Sequence, residues 1–288
     1  MTDNELRAQI PALASGGCAV ITGAANGIGL AAAKRFALMG VPVLMADLGG
    51  HKLDHACAEV AGETNSDRVL ATPCDVSVAA DLDRLAATAR DAFGAIGILM
   101  NNAAIGDNPG STFAKPEAWR KLIDINLFGV INGVQAFAPM MIEQESPSLI
   151  INTGSKQGIT MPPGNAAYNV SKAGVKVFTE ALAHELRNTP QCKVAAHLLI
   201  PGFTFTGMTS GDRTEKPAAA WTPEQVVDFM LESIARGDFY ILCPDNDVTR
   251  AMDEKRMAWA IGDIIENRPA LSRWHPDYAD AFAHYMRG

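Results

Sequence analysis

Three side chains that can take part in proton transfer lie between residues 155 and 172. Tyr168 and Lys172 are four positions apart in a run of good helix formers, so we expect them one turn apart on one helix face. A nearby ammonium group stabilises a phenolate and lowers the pKa of a tyrosine. Ser155, thirteen positions before Tyr168, carries a hydroxyl that can hold a substrate oxygen. This set predicts a general acid–base site in which Tyr168 exchanges the proton.

Lys172 alone is not expected to activate Tyr168 fully. Lowering the pKa of a tyrosine from about 10 to about 7 takes about 4 kcal/mol of differential stabilisation, more than one exposed lysine provides. A second positive charge is therefore needed. An oxidised nicotinamide ring carries such a charge, so the chemistry indicates a nicotinamide cofactor. The alternative is that Tyr168 is an ordinary residue of an amphipathic helix and Lys172 a solvated charge.

The element before this segment positions it at a sheet edge. Residues 149–153 form a short, apolar, β-prone run of the kind expected for a buried parallel strand. Ser155 lies just past the carboxyl end of this run. Ligands of open α/β sheets bind at that end of the strands, so the candidate acid–base residues lie where a substrate is expected.

A glycine-rich turn follows the first predicted strand, residues 18–22. Gly23 permits a tight turn, Gly27 lets the backbone approach a pyrophosphate, and Gly29 allows the next helix to pack closely on the strand. The helix amino terminus then faces the phosphates. A turn that merely reverses the chain direction is the alternative.

Asp47 ends the second predicted strand, twenty residues after Gly27. A carboxylate there accepts hydrogen bonds from ribose hydroxyls and repels a 2′-phosphate, which favours NAD over NADP. Asn26 and Leu48 occupy positions where NADP would call for basic side chains. The alternative role for Asp47 is a cap on the following helix.

In this order, the motifs resemble those of the short-chain dehydrogenase/reductase family. The resemblance covers residues 18–242 and rests on the glycine spacing, on the Ser155, Tyr168 and Lys172 set, and on later polar turns. One difference is that the family's Asn-Asn-Ala-Gly sequence ends here in Ala104. Alanine would matter only if that position required a positive φ.

The resemblance also implies roles for residues outside the acid–base set. Asp75 and Val76 are expected to contact the adenine ring, although an aspartate there also suits a simple turn. Asn126 is expected to hold a water that links Lys172 to solvent, packing polarity being the alternative. The implied catalytic residues are Asn126, Ser155, Tyr168 and Lys172, and the implied cofactor-binding residues are Gly23, Asn26, Gly27, Ile28, Gly29, Asp47, Asp75, Val76, Asn102, Ala103, Ala104, Tyr168, Lys172, Pro201, Gly202, Thr204 and Thr206.

Alternating strands and helices between residues 18 and 242 predict an α/β fold, a doubly wound parallel sheet of Rossmann type flanked by helices. We expect one domain over residues 1–243 and a helical C-terminal extension over 244–288, with an amphipathic helix at 248–265. The extension could cover the substrate cleft, pack on a neighbouring subunit or extend the core.

Composition excludes several classes of protein. The chain has 288 residues and a formal net charge of −8, which argues against nucleic acid or an anionic membrane as a main partner. We see no signal peptide and no apolar run of membrane-spanning length, so we expect a cytoplasmic protein. The 5 cysteines lack metal-ligand spacing and cannot all pair, and no metal is needed.

The predicted function is transfer of a hydride between NAD and a secondary alcohol or ketone. We expect a pocket formed by Lys156, Gln157, Met161, Pro162 and residues of the 203–220 loop, in which residues 207–220 have the composition of a mobile lid. Lys156 and Gln157 suggest a polar or anionic group on the substrate, unless Lys156 points to solvent. The alternatives are an NADP-dependent reductase of activated carbonyls such as acyl thioesters, and a nucleotide-binding sensor without turnover. The resemblance also implies a homodimer or homotetramer, formed chiefly through the helices after residues 117 and 166.

Overall fold

A seven-stranded parallel sheet forms the centre of the computed structural model, which describes residues 1–287. The strand order is β3-β2-β1-β4-β5-β6-β7. This order reverses between β1 and β4, so a crevice opens at their carboxyl ends. The strands are β1 (Cys18–Thr22), β2 (Val43–Asp47), β3 (Val69–Pro73), β4 (Ile96–Asn101), β5 (Ser148–Thr153), β6 (Val194–Ile200) and β7 (Tyr240–Leu242).

Helices cover both faces of the sheet, as the doubly wound prediction requires. Helices α2, α3 and α9 pack on one face, and α4, α6 and α8 on the other. The helices are α1 (Asp3–Gln9), α2 (Gly27–Leu38), α3 (His51–Thr64), α4 (Ala79–Phe93), α5 (Pro116–Ile123), α6 (Gly129–Glu143), α7 (Gln157–Thr160), α8 (Ala166–Asn188), α9 (Pro223–Ala235), α10 (Arg250–Ile265) and α11 (Ala279–Arg287).

The strand β1 shows why these runs form buried strands. All five of its residues are buried. Ala19 and Ile21 belong to the core on one face, and Cys18 and Val20 belong to the core on the other. Because side chains alternate along a strand, a sheet covered on both faces needs a continuous apolar run, which the sequence provides.

The segment from Pro116 to Glu143 is helical but changes its geometry in the middle. A π-helical turn (Asp124–Phe128) separates α5 from α6 and ends just before Gly129. Contrary to the sequence expectation, this segment is long and apolar enough to span a membrane. It packs instead against β4, β5 and α4, which is the position of a core helix.

The C-terminal extension folds onto the same chain. Helix α10 contacts α7, the single turn that follows Ser155. Trp259 of α10 is buried, donates a hydrogen bond from Nε1 to Ser272 Oγ at 2.7 Å, and lies under the Arg268 guanidinium, 4.2 Å from the ring centroid. Of the extension, Gly288 lies outside the described residues. The helix predicted at 248–265 begins at Arg250, after the N-cap Thr249.

Candidate active site

Strand β5 and helix α8 bring the three acid–base residues together. Ser155 follows the carboxyl end of β5, and its hydroxyl lies beside the phenol of Tyr168 on α8. Lys172, one turn further along α8, is buried and donates from Nζ to Thr153 O at 2.8 Å. Its Nζ lies 5.8 Å from the centroid of the Tyr168 ring. Asn165 caps α8 by accepting a hydrogen bond from Tyr168 N.

Burial shifts the pKa values of Tyr168 and Lys172 in the directions that favour their neutral forms. Burial raises the pKa of Tyr168, and the neighbouring Ser155 hydroxyl acts in the opposite direction. Burial also lowers the pKa of Lys172 from 10.5 to about 8. In the protein alone desolvation therefore outweighs the groups that favour the phenolate, as expected if Lys172 alone cannot activate Tyr168. Another positive charge beside Tyr168 is still required to favour its phenolate.

Asn126 lies in the π-helical turn and joins it to the segment after β4. Its Oδ1 accepts a hydrogen bond from Ile105 N at 2.8 Å, and its Nδ2 donates to Ile105 O at 2.9 Å. Ser171 Oγ is 3.4 Å from the same Nδ2. This pairing explains an asparagine in the middle of a helical segment, where its propensity is poor. The implied role of Asn126 in a water relay stays a prediction.

The glycine turn leaves no space for a side chain at Gly23 or at Gly29. A Cβ on Gly23, whose φ is +66°, would lie 2.7 Å from Ala103 Cα, and a Cβ on Gly29 would overlap the carbonyl oxygen of Gly23. Gly27 is the first residue of α2, so the amino terminus of this helix opens onto the turn. Free backbone N–H groups at such a terminus attract phosphate, and the turn therefore fits a dinucleotide.

Asp47 is directed at the glycine turn and does not cap the next helix. Its Oδ2 accepts a hydrogen bond from Ala25 N at 3.0 Å, and its Oδ1 accepts one from Leu48 N at 2.9 Å. Helix α3 begins at His51 with Gly50 at its N-cap, which excludes the capping role that was the alternative. Leu48 is 75% exposed beside the carboxylate.

The other polar turns hold the strands in register. Thr22 Oγ1 accepts hydrogen bonds from Asn102 N at 3.0 Å and Ala103 N at 3.1 Å, and Asn102 Nδ2 donates to Thr22 O at 3.2 Å. Thr153 of β5 donates to Asn102 Oδ1. Ala104 is not among the described residues of positive φ, so it replaces a glycine without strain. In the next turn, Asp75 Oδ1 accepts from Ser77 Oγ at 2.6 Å.

One cavity of about 570 Å³ runs along the carboxyl ends of the strands from Asp47 to Tyr168. Gly29, Asn126, Met161 and Pro162 are not among the residues that line it. Ile105, Gly106 and Met208 line it although the sequence did not single them out. The predicted site residues that line it are Gly23, Asn26, Gly27, Ile28, Asp47, Asp75, Val76, Asn102, Ala103, Ala104, Ser155, Tyr168, Lys172, Pro201, Gly202, Thr204 and Thr206.

Lys156 was expected either to contact an anionic substrate or to point to solvent. In the structure its ammonium does neither, because it is paired with two carboxylates. It lies 2.7 Å from Asp253 Oδ2 and 3.2 Å from Asp245 Oδ2, and its side chain is 13% exposed. Two carboxylates therefore neutralise the one charge that suggested an anionic substrate. Their positions, 89 and 97 residues further along the chain, gave no local signal in the sequence.

The loop after β6 forms the wall opposite Tyr168. Phe205 N donates to Trp221 O and Trp221 N donates to Phe203 O, both at 2.9 Å, so the two ends of the loop are tied together. Thr206 N donates to Thr209 Oγ1 at 3.0 Å. Residues 211–216 between these ends are exposed. A loop fixed at its ends and solvated at its tip suits the predicted lid, whose mobility stays a prediction.

Comparison with known proteins identifies the class of protein to which this fold and site belong. A family model described as short chain dehydrogenase matches residues 17–217. The chain therefore belongs to the short-chain dehydrogenase/reductase family, and it is an oxidoreductase of alcohol- and ketone-type substrates with a nicotinamide-nucleotide site.

Individual members share most of the chain's length. It is 31% identical over 261 residues to the 1-deoxy-11-beta-hydroxypentalenate dehydrogenase of Streptomyces exfoliatus, covering 89% of this chain and 93% of that protein. A Burkholderia phymatum family member solved in complex with NAD has 30% identity and a TM-score of 0.78, with 88% of this chain and 96% of the other covered. A metagenomic short-chain oxidoreductase solved with NADP has 28% identity and a TM-score of 0.65, with 80% and 97% covered.

Proposed function

We propose that this chain is an NAD-dependent dehydrogenase that interconverts neutral secondary alcohols and ketones. The observation that supports this most directly is the position of the neighbouring Ser155 and Tyr168 hydroxyls in the same cavity as Asp47. A substrate oxygen beside the two hydroxyls and an adenosine ribose beside the carboxylate would occupy the two ends of this cavity. When bound, the nicotinamide ring accepts or donates the hydride.

In the direction of alcohol oxidation, Tyr168 receives the hydroxyl proton and Ser155 holds the substrate oxygen by a hydrogen bond. Lys172 provides the neighbouring positive charge that favours the phenolate, and its fixed contact with Thr153 O keeps Nζ in place. In the reverse direction Tyr168 returns the proton to the carbonyl oxygen. Because burial raises the pKa of Tyr168, the enzyme without cofactor keeps the phenol protonated. Formation of the Tyr168 phenolate would then be favoured by the positive charge that an oxidised cofactor would supply.

The preference for NAD is inferred from charge at the adenosine end of the cavity. Asp47 brings a carboxylate to this end, and a 2′-phosphate beside it would meet like charge. The adjoining lining residues Asn26, Leu48 and Cys74 bring no positive charge to offset it. An NADP enzyme would need a basic side chain in one of these positions.

The substrate is inferred to be uncharged near its reacting carbon. Ile105, Phe203 and Met208 line the substrate end of the cavity. Lys156 also lines it, but its ammonium is paired with Asp245 and Asp253. An anionic group would therefore be desolvated without a free cation to receive it, which is unfavourable. Gln157 and Asn165 supply neutral polar contacts.

Self-association through α8 also belongs to this proposal. Val170 and Val177 lie two turns apart on this helix and are 52% and 62% exposed. Phe128, at the end of the π-helical turn, is 48% exposed. Packing these groups against a second copy would remove them from water. Light scattering after size-exclusion chromatography should give a mass of two or four chains, and a monomer would contradict the proposal.

The substrate proposal is tested by NADH formation with matched alcohols. We would compare neutral cyclic and aryl secondary alcohols with analogues that carry a carboxylate near the reacting carbon. The neutral alcohols should be oxidised with NAD at higher kcat/KM than their anionic analogues, and NADP should support slower turnover. A preference for the anionic analogues would contradict the substrate proposal, and faster turnover with NADP would contradict the cofactor proposal.

A further inference from the structure

The C-terminal extension supports the segment that carries the proposed catalytic serine. Ser155 is followed by Lys156 and by the single helical turn α7, and α10 packs against this turn. Ile159 of α7 and Met257 of α10 pack on the same apolar cluster at the end of β6. A one-turn helix has little stability of its own, so its position depends on what holds it.

A buried ion cluster makes the polar part of this contact. Lys156 Nζ lies between Asp253 Oδ2 at 2.7 Å and Asp245 Oδ2 at 3.2 Å. The two carboxylate side chains are 3% and 6% exposed. Within residues 1–287, neither carboxylate oxygen of Asp253 accepts a geometrically satisfactory hydrogen bond, and Arg256 Nη1 is 3.6 Å from its Oδ1. Lys156 is therefore the main group that balances the charge of Asp253.

The same cluster reaches the turn on the other side of the cavity. Asp245 Oδ2 also accepts a hydrogen bond from Phe203 N at 3.2 Å. Lys156 N donates to Pro201 O at 3.3 Å, which joins the serine segment to this turn directly. A Cβ on Gly202 would lie 2.7 Å from Asp245 Oδ2 and 3.0 Å from Lys156 Nζ, so the ion pair lies against a position that only glycine fits.

We propose that Asp253 and Asp245 are positioning residues for the reaction, acting through Lys156 to fix Ser155 against the Pro201–Phe203 turn. Helix α10 thus supports the serine segment through Asp253 without contacting the substrate. The inference rests on the proposed function for its catalytic consequence only. Its structural part, that Asp253 holds the serine segment in place, stands independently of any substrate.

The first experiment measures hydrogen exchange by mass spectrometry in the full chain without substrate. Asp253→Asn removes one charge, and Glu254→Gln makes the same chemical change at the next residue, which is exposed and pairs with Arg250 at the surface. We expect amides of residues 157–161 to exchange about tenfold faster in Asp253→Asn than in the wild type or in Glu254→Gln. Unchanged exchange in this segment would overturn the inference. Equally accelerated exchange throughout the chain would also overturn it, because that pattern reports a general loss of stability.

Lys156→Gln is the second variant, and it keeps the test valid where Asp253→Asn folds poorly. Each variant should accelerate exchange in the same segment. If Asp253 acts through Lys156, the double variant should exchange no faster there than Lys156→Gln alone. Additive effects of the two substitutions would contradict an action through Lys156.

The catalytic consequence is measured as kcat per NADH-binding site, with sites counted by fluorescence titration. This count separates misplaced catalytic groups from misfolded protein. We expect kcat to fall roughly 10- to 100-fold in Asp253→Asn and Lys156→Gln, with NADH affinity unchanged, because small displacements of reacting groups cost rate. A wild-type kcat per site in both variants would overturn the positioning role. An inactive wild type with faster exchange in Asp253→Asn would refute the proposed function and support the structural inference.

Discussion

Lys172 combines burial with a positive charge, and this combination has a calculable effect on folding stability. Burial lowers the pKa of Lys172 from 10.5 to about 8. Each pKa unit corresponds to about 1.4 kcal/mol, so the buried ammonium destabilises the folded state by about 3 kcal/mol near pH 7. The hydrogen bond to Thr153 O offsets only part of this effect.

The sign of the pH dependence follows from the lower pKa in the folded state. Between about pH 8 and about pH 10.5 the unfolded chain binds the lysine proton and the folded chain does not, so stability rises with pH across this window. At about pH 9.5 the destabilisation due to Lys172 has fallen to about 1 kcal/mol, which is about 2 kcal/mol less than near pH 7.

Lys172→Met keeps most of the side-chain length and removes the charge. We expect the free energy of unfolding of Lys172→Met, minus that of the wild type, to decrease by about 2 kcal/mol between about pH 7 and about pH 9.5. Urea denaturation without cofactor measures this difference, and other groups that titrate in the same range cancel between the two proteins. Lys176→Met, at a partly exposed lysine of the same helix that pairs with Glu180, is the control. A difference between Lys172→Met and the wild type that does not change with pH would refute the reasoning.

Three further changes test other parts of the molecule. Asp47→Asn should lower the NAD-to-NADP ratio of kcat/KM about tenfold or more by removing the charge that repels a 2′-phosphate; an unchanged ratio would contradict the role of Asp47. Gly29→Ala should lower the free energy of unfolding in urea by about 2 kcal/mol, because its Cβ would overlap the Gly23 carbonyl. Gly62→Ala, on an open helix face, should raise it by roughly 0.5–1 kcal/mol, and equal effects of the two would argue against the overlap. Burial lowers the pKa of His197, so stability should fall as pH drops below about 6.5, and His197→Gln should flatten this dependence in urea melts at pH 5–7; an equal slope in both proteins would exclude His197 as the cause.

The sequence predicts the fold, and it predicts residues that line one cavity, because those features have local signals. Strand β1 is a continuous apolar run that leads directly into the glycine turn, and its burial on both faces follows from that run. Tyr168 and Lys172 share a helix, so their spacing alone predicts their proximity. Asp47 ends a strand, and parallel strands end at one edge of the sheet.

The errors concern charges whose partners are remote in sequence. Lys156 looked available to a substrate anion because Asp245 and Asp253 lie in a region with no motif, and only the folded chain brings them to 3.2 Å and 2.7 Å. The effect of burial on the pKa of Tyr168 was also not predictable from the sequence. A spacing of four residues reveals a neighbouring lysine, but it does not reveal how much water the fold removes.

Asn126 and the apolar Pro116–Glu143 segment also depend on contacts with residues that are remote in sequence. The resemblance assigned a role to Asn126, but its partner Ile105 lies in an irregular segment that no periodicity predicts. The membrane-length apolar character of the helical segment was missed because its polar residues interrupt the run. Packing on β4 and β5 explains that apolar character.

The central claim is that Tyr168 exchanges the substrate proton, and its most direct test is steady-state NADH formation by the wild type and Tyr168→Phe with the best neutral alcohol. Tyr278→Phe, in the C-terminal extension, is the control for loss of a phenol elsewhere. We expect Tyr168→Phe to lower kcat by about 10²–10⁴-fold while NADH binding persists, because the variant lacks the acid–base group. Turnover that is intact in Tyr168→Phe would contradict the mechanism.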